Sequence, residues 1–284
     1  MSNIQSGTTY HLSPLVRRIT ASNGSVMTGP GTNTYLLGSN EVVVIDPGPA
    51  DEQHIDRIQE EIEASGGRLH SIWVTHTHRD HSPGARILKH RTQAPCYGSV
   101  IPDDGFQDQT FAVDIDLYDG LQLDLEEFSI KAIHTPGHVH NHYCFWLSNE
   151  QMIFVGDHLM QGTTVVIIPP HGVMNDYIES LRKIDGLPLM QIAPGHGHII
   201  ENAHEVIHDT IRHRLARERL LLIKMDGDWQ MRKDLVGKVY MGLDPRLLPF
   251  AEKSLHAHLI KLEKEGRVES DGETMWRKIH KESK

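Results

Sequence analysis

Cysteine is nearly absent from this 284-residue chain: Cys96 and Cys144 stand alone, without CxxC spacing. Two such residues cannot staple a domain, so a disulfide scaffold is excluded and free thiols in a reducing compartment are expected. Aromatic residues make up only 6%, yet 38% of the chain is apolar, enough for an ordinary buried core. No run approaches the roughly 18 apolar residues of a membrane span. Met1 to Tyr10 shows neither a basic leader nor an apolar stretch, so the expectation is a soluble cytoplasmic protein with no membrane partner. Basic charge is short as well. With 28 Lys plus Arg against 38 Asp plus Glu, the net charge of −10 repels a phosphate backbone at long range and argues against general nucleic-acid affinity.

Histidine is plentiful instead. The 21 histidines outnumber the 10 Met, 4 Trp and 6 Phe together. Charge is also unevenly spread: residues 226–284 hold 12 basic and 11 acidic residues, a net of +1, which leaves −11 upstream. The shift falls at Asp226-Gly227-Asp228, which breaks a helical pattern. Two domains are therefore expected, residues 1–225 and residues 226–284.

The first domain reads as α/β. Glu41 to Ile45 and Ser71 to Val74 are short apolar runs, hence buried strands. Between them, Ile55, Ile58 and Ile62 recur at helical spacing before Gly66-Gly67. Further strands are expected at Phe128 to Ile133, Tyr143 to Leu147 and Met152 to Val155, and a helix over Asp176 to Ile184. A long helix spans Ala203 to Met225, with Ile207, Ile211, Leu215 and Leu222 as its apolar stripe and Arg212 to Arg219 as a solvated face, an RNA-binding stripe being the alternative. In the tail, helices at Met231 to Tyr240 and Pro249 to Glu265 precede a hairpin signature around Asp271-Gly272, which is winged-helix-like. Its second helix balances Glu252, Glu263 and Glu265 against Lys253, Lys261 and Lys264, the composition of a packing or dimer module rather than a DNA reader, so a homo-oligomer is an open expectation.

The informative cluster is Thr75-His76-Thr77-His78-Arg79-Asp80-His81. Imidazole and carboxylate are ligands of zinc and comparable divalent metals. On an extended strand end His76 and His78 point to the same side and reach one ion; Asp80 and His81, after the turn, can face a second. Two ions need more ligands, and three further strand ends offer them: His138 in Thr-Pro-Gly-His, Asp157 in Val-Gly-Asp and His196 in Pro-Gly-His-Gly. Five His and two Asp suit a dinuclear site bridged by a carboxylate and a water-derived hydroxide. His140, His142, His171 and His198 lie near these ligands in sequence and read as neighbours of the site or surface residues.

His76-x-His78-x-Asp80-His81, followed in order by His138, Asp157 and His196, resembles the complete ligand set of the metallo-β-lactamase superfamily, over roughly Pro30 to Gly197. The resemblance implies an αββα sandwich with metals at one edge, here with the small winged-helix-like domain appended. It implies His76, His78 and His138 on the first metal, Asp80, His81 and His196 on the second, and Asp157 between them. Asp46 matches the family's aspartate beside the metal loop and would orient it by hydrogen bonds. Gly31 to Leu36, Gly162 to Val165, the basic helix and the tail resemble the β-lactamase-like protein two subfamily, which includes a single-stranded RNA endonuclease and bacterial metal-dependent hydrolases. Val139-His140-Asn141-His142 and Pro169-Pro170-His171-Gly172 depart from that pattern. Substrate would meet His171, Asn175 and Tyr177, against core and helix-cap roles as the ordinary alternative.

The expected function is a dinuclear-metal hydrolase acting on a small carbonyl substrate (thioester, lactone, ester or lactam), with Asp80 orienting the attacking water. Zinc is expected first; iron and manganese suit the same N/O ligand set. Two alternatives share the ligands: a single-stranded RNA endonuclease, and an iron-dependent persulfide dioxygenase that would hold one metal.

Overall fold

The computed structural model describes residues 4–279. In chain order the strands and helices are β1 (Thr9–His11), β2 (Val16–Thr20), β3 (Asn33–Leu37), β4 (Glu41–Ile45), α1 (Glu52–Ala64), β5 (Arg68–Trp73), α2 (Gly84–Thr92), β6 (Cys96–Gly98), β7 (Ile115–Asp116), β8 (Gln122–Asp124), β9 (Ser129–His134), β10 (Tyr143–Leu147), β11 (Met152–Gly156), α3 (Met174–Asp185), β12 (Gln191–Pro194), α4 (Ala203–Lys224), β13 (Gln230–Met231), α5 (Arg232–Val239), α6 (Leu248–Lys264), β14 (Val268–Ser270) and β15 (Met275–Lys278). They group into two compact units. Among the described residues the first holds 4–135, Asn141–Thr164 and Asp185–Ala203; the second holds Pro136–His140, Val165–Ile184 and 204–279.

The first unit contains a seven-stranded sheet, β1 to β7 in sequence order, and a five-stranded sheet ordered β12-β11-β10-β9-β8. Strand alternation decides which side chain goes where. Tyr35, Leu37, Val43, Ile45 and Trp73 of the larger sheet pack with Ile130, Ala132, Phe145, Leu147 and Phe154 of the smaller one. Their neighbours Leu36, Val42, Val44 and Ile72 point the other way, onto Ile55, Ile58 and Ile62 of α1 and Leu88 of α2. Full burial of each such side chain contributes about 2 kcal/mol. Helix α1 begins at Asp51, whose carboxylate accepts from Gln53 N–H.

Direction positions the chemistry. β4 and β5 are parallel, and β9, β11 and β12 share one direction through the antiparallel strand β10. The segments after β4 and β5 therefore leave one end of their sheet, and those after β9, β11 and β12 leave one end of theirs. Each of the expected metal-binding residues follows such a carboxyl end.

In the second unit, β13, β15 and β14 form a three-stranded sheet beside α5 and α6. Leu255, Leu259 and Leu262 of α6 pack with Leu235, Val268 and Trp276, and Leu221, Leu222 and Met225 at the end of α4 join that core. Among the described residues no helix is long and apolar enough to cross a membrane.

One expectation about α4 changes. Its buried stripe includes Ile207, Thr210, Arg214, Glu218 and Leu221, while Ile211 and Leu215 are only partly buried. Arg214 is 3% exposed and so is not part of a solvated basic face. It donates to the Val165 carbonyl, and Glu218 accepts from Lys261 Nζ at 3.0 Å.

Candidate metal centre

The centre is built from loops at the strand ends. Asp46, directly after β4, adopts φ 49. Its Oδ1 accepts from Thr75 N–H at 2.7 Å, its Oδ2 accepts from the Thr75 hydroxyl at 2.7 Å, and that same Oδ2 lies 2.9 Å from His81 Nδ1. One carboxylate thus fixes both the start of the His76 to His81 loop and the ring of its last histidine. With Nδ1 facing Asp46, the His81 Nε2 is left for an ion. The loop is also tied from outside: Thr77 Oγ1 donates to Gln107 Oε1 and accepts from Asn141 Nδ2, and Ser82 donates to Asp108.

Two sets of donors result. Within the first unit His76, His78 and Asp157 each offer one ligand atom, all within 4.8 Å of one another; Asp80, His81 and His196 do the same. Asp157 faces the second set too, with Oδ1 3.4 Å from His81 Nε2 and 3.2 Å from His196 Nε2. Asp80 Oδ2 lies 3.4 Å from His81 Nε2 and 3.2 Å from His196 Nε2. His196 Nδ1 faces the Gly31 carbonyl at 3.2 Å, and Thr32 Oγ1 approaches Asp80 Oδ2 at 3.3 Å.

These spacings fit a metal. His81 Nε2 is buried and makes no hydrogen bond. Ligands about 2.0 to 2.1 Å from a tetrahedral ion lie about 3.3 to 3.4 Å from each other, which is the separation found between His81 Nε2 and the two carboxylates.

Charge in the centre is polarised. Burial pushes the His76 imidazole well below its ordinary range, helped by His81 and His78. Burial opposes the charge of His81 and His196 as well, but nearby carboxylates outweigh it. Asp80, Asp157 and Asp46 hold His81 well above its ordinary value, and Asp157 and Asp80 raise His196 to about 9. Conversely, burial disfavours the carboxylates, yet His81 and His196 bring Asp80 down to about 2 and hold Asp157 well below the usual range. A cation placed there replaces protons as the partner of those carboxylates.

The remaining candidates are dispersed. Tyr177 is fully buried, with the Arg214 guanidinium 5.2 Å from its ring centroid, which is a packing position. Asn175 is exposed in the first turn of α3, beside a cavity of about 450 Å³ that Pro169, Pro170 and Ile260 also line. His171 is half-buried, edge-on to His140 at 5.5 Å. His142 is fully buried, its ring 5.2 Å from that of His76 and its Nδ1 2.9 Å from Thr135 Oγ1. Sequence reasoning passed over Thr75, which Asp46 grips. The usable signal was a hydroxyl residue directly before the His-x-His pair, able to bond a carboxylate at the neighbouring strand end.

Comparison with known proteins agrees with this geometry. The metallo-beta-lactamase superfamily model matches residues 27–196, and the beta-lactamase associated winged helix domain model matches residues 232–276. The chain belongs to the metallo-β-lactamase superfamily, which bears out the resemblance and the fold class, and it is a metal-dependent hydrolase of that class. A beta-lactamase-like protein 2 homolog of Caenorhabditis elegans is 31% identical over 268 residues, covering 91% of this chain and 88% of that protein. An atrochrysone carboxyl ACP thioesterase of Aspergillus fumigatus is 32% identical over 232 residues, covering 80% and 69%. The crystal structure of a metallo-beta-lactamase family protein from Thermus thermophilus superposes with a TM-score of 0.78 at 19% identity, covering 95% of this chain and 100% of that one. This last likeness speaks for the fold.

Proposed function

We propose that this chain hydrolyses thioesters of small carboxylic acids at a two-ion centre. The observation that carries the reading is the convergence of two donor sets on one carboxylate, Asp157. His76, His78 and His138 would hold one ion, Asp80, His81 and His196 the other, with Asp157 between them. The choice of thioester among carbonyl substrates is supported by the relative named as a thioesterase. Zinc is the first choice of metal, with iron or manganese compatible with the same ligands. When bound, the ions would supply Lewis acidity toward the carbonyl oxygen and a nucleophilic water at neutral pH.

The chain's own residues do the rest. Asp80, with a side chain 29% exposed, is more open to solvent than Asp157 at 11%. Its Oδ2 would orient the attacking water and accept its proton. Asp46 keeps the His81 ring aimed into the centre through Nδ1. The cysteines are poor nucleophiles here: both are buried, and burial lifts the Cys96 thiol to about 11. The same reading assigns residues 1–225 to the catalytic domain and residues 226–284 to the appended one.

The test is a substrate panel run beside elemental analysis of protein purified without added metal. Thioester hydrolysis should fall to background after chelation and in His78→Ala, and return on adding zinc to the chelated wild type. Salt-dependent cleavage of labelled single-stranded RNA without thioester turnover would overturn the reading. So would one iron per chain with persulfide oxidation.

A further inference from the structure

The His138 turn is held by its neighbours at four points. Ser180 Oγ donates to the Pro136 carbonyl at 2.7 Å, and Val173 N–H donates to the Gly137 carbonyl at 2.8 Å. Gly137 lies so close to α3 that a Cβ there would sit 2.3 Å from Tyr177 Cα. The His138 ring itself faces the Val166 carbonyl through Nδ1 at 2.8 Å. That last bond sets the tautomer: Nδ1–H donates to the carbonyl, and Nε2 remains for a metal.

The Val166 carbonyl belongs to an irregular segment that is braced in turn. On one side Arg214 Nη2 donates to the Val165 carbonyl. On the other, Ile167 N–H donates to Ser254 Oγ of α6 at 3.4 Å. Arg214 also covers the ring of Tyr177, the residue on which Gly137 rests. One side chain therefore touches both the residue preceding Val166 and the ring of Tyr177. Arg214 is buried, and among the described residues no carboxylate pairs with it. Its next-turn neighbour on α4, Glu218, takes Lys261 and His258 instead. Burying an unpaired guanidinium is costly, so packing alone gives no reason for it.

We propose that Arg214 is a positioning residue for the metal centre: by clamping the Val165 carbonyl and Tyr177 it fixes the Val166 carbonyl, which aims His138. The proposal rests on the reading of His138 as a ligand. It gives the helix leading into the winged-helix domain a role in metal binding rather than in contacting a partner.

The test uses full-length wild type, Arg214→Ala, Arg214→Lys, Arg214→Met, Ser254→Ala and His138→Ala. Each is stripped of metal and reloaded with Co(II), with metal affinity, visible absorption and thermal melting recorded. Arg214→Ala is expected to weaken one ion by about 10- to 100-fold, as outer partners of metal ligands do, and to alter the Co(II) spectrum. Arg214→Lys, which can still donate to Val165, should recover much of both. Arg214→Met keeps the bulk without the donor and should resemble Arg214→Ala in spectrum even if it melts like wild type; it serves if the alanine variant does not fold. Ser254→Ala should shift affinity in the same direction by less. Wild-type affinity and spectrum in Arg214→Met, with metal lost in His138→Ala, would overturn the proposal while leaving the ligand assignment intact. Full metal binding by His138→Ala would overturn both.

Discussion

Acid should weaken this fold through one histidine outside the metal centre. His54, on α1, is 4% exposed. Thr34 Oγ1 donates to the Asp46 carbonyl at 2.7 Å, so at the 2.8 Å contact with His54 it must accept, and the proton sits on Nε2. Nδ1 is buried without a partner. Protonating it would place a charge where nothing receives it, and burial accordingly pulls the imidazole from 6.5 to about 4. Between those values the unfolded chain binds a proton that the folded chain refuses. Stability from this source is complete above the unfolded value and is lost as pH falls toward the folded one, about 3 kcal/mol in all and about 2.5 kcal/mol by pH ~4.5. Urea unfolding of metal-free wild type and His54→Gln, from about pH 7 to about pH 4.5, isolates it. The glutamine keeps a donor toward Thr34 but does not titrate. Wild type should lose about 2.5 kcal/mol more than the variant over that range. Parallel pH slopes for the two proteins would refute the assignment of a neutral, Nε2-protonated His54.

Two further outcomes follow from the loops. Asp46→Asn retains size but cannot accept from Thr75 N–H, Thr75 Oγ1 and His81 together; metal affinity should fall by about 10- to 100-fold, read by competition with a chromophoric chelator. Gly137→Ala adds a methyl at φ 144, against the Tyr177 backbone; it should cost about 3 kcal/mol in denaturant unfolding and lower metal content along with it.

The centre was legible because its ligands carry a chemistry that few other arrangements need. His76, His78, Asp80 and His81 sit within six residues, and the more distant His138, Asp157 and His196 each follow a strand that alternation or an apolar run already marks. The strands flanking the centre were equally readable: β10 and β11 begin at the residues their apolar runs indicate. Short strands such as β7 and β8, with two and three residues, leave no period to detect. Asp46 was visible as a strand-end aspartate, but its grip on Thr75 depends on β4 and β5 lying side by side, a pairing that no local pattern states.

Helix α4 shows why polarity misleads at particular positions. A stripe drawn through Ile207, Ile211, Leu215 and Leu222 treats every apolar residue as a buried one. The observed face instead carries Arg214 and Glu218, seven residues on from Ile207 and Ile211 and so only about 20° from them on a helical wheel. What permits their burial lies far away in sequence: Val165 for Arg214, 49 residues back, and His258 and Lys261 for Glu218, 40 and 43 residues on. A polar side chain is buried when its partner is supplied, and the partner's position is a property of the fold rather than of the helix. The two cases differ in kind. Glu218 has the Lys261 ammonium to answer it, so its burial explains itself locally. Arg214 has a carbonyl and a ring, and an apolar residue of similar volume would often be as stable at such a position. Stability therefore supplies no reason for a guanidinium there, whereas the direction of the Val166 carbonyl, and through it the His138 ring, does.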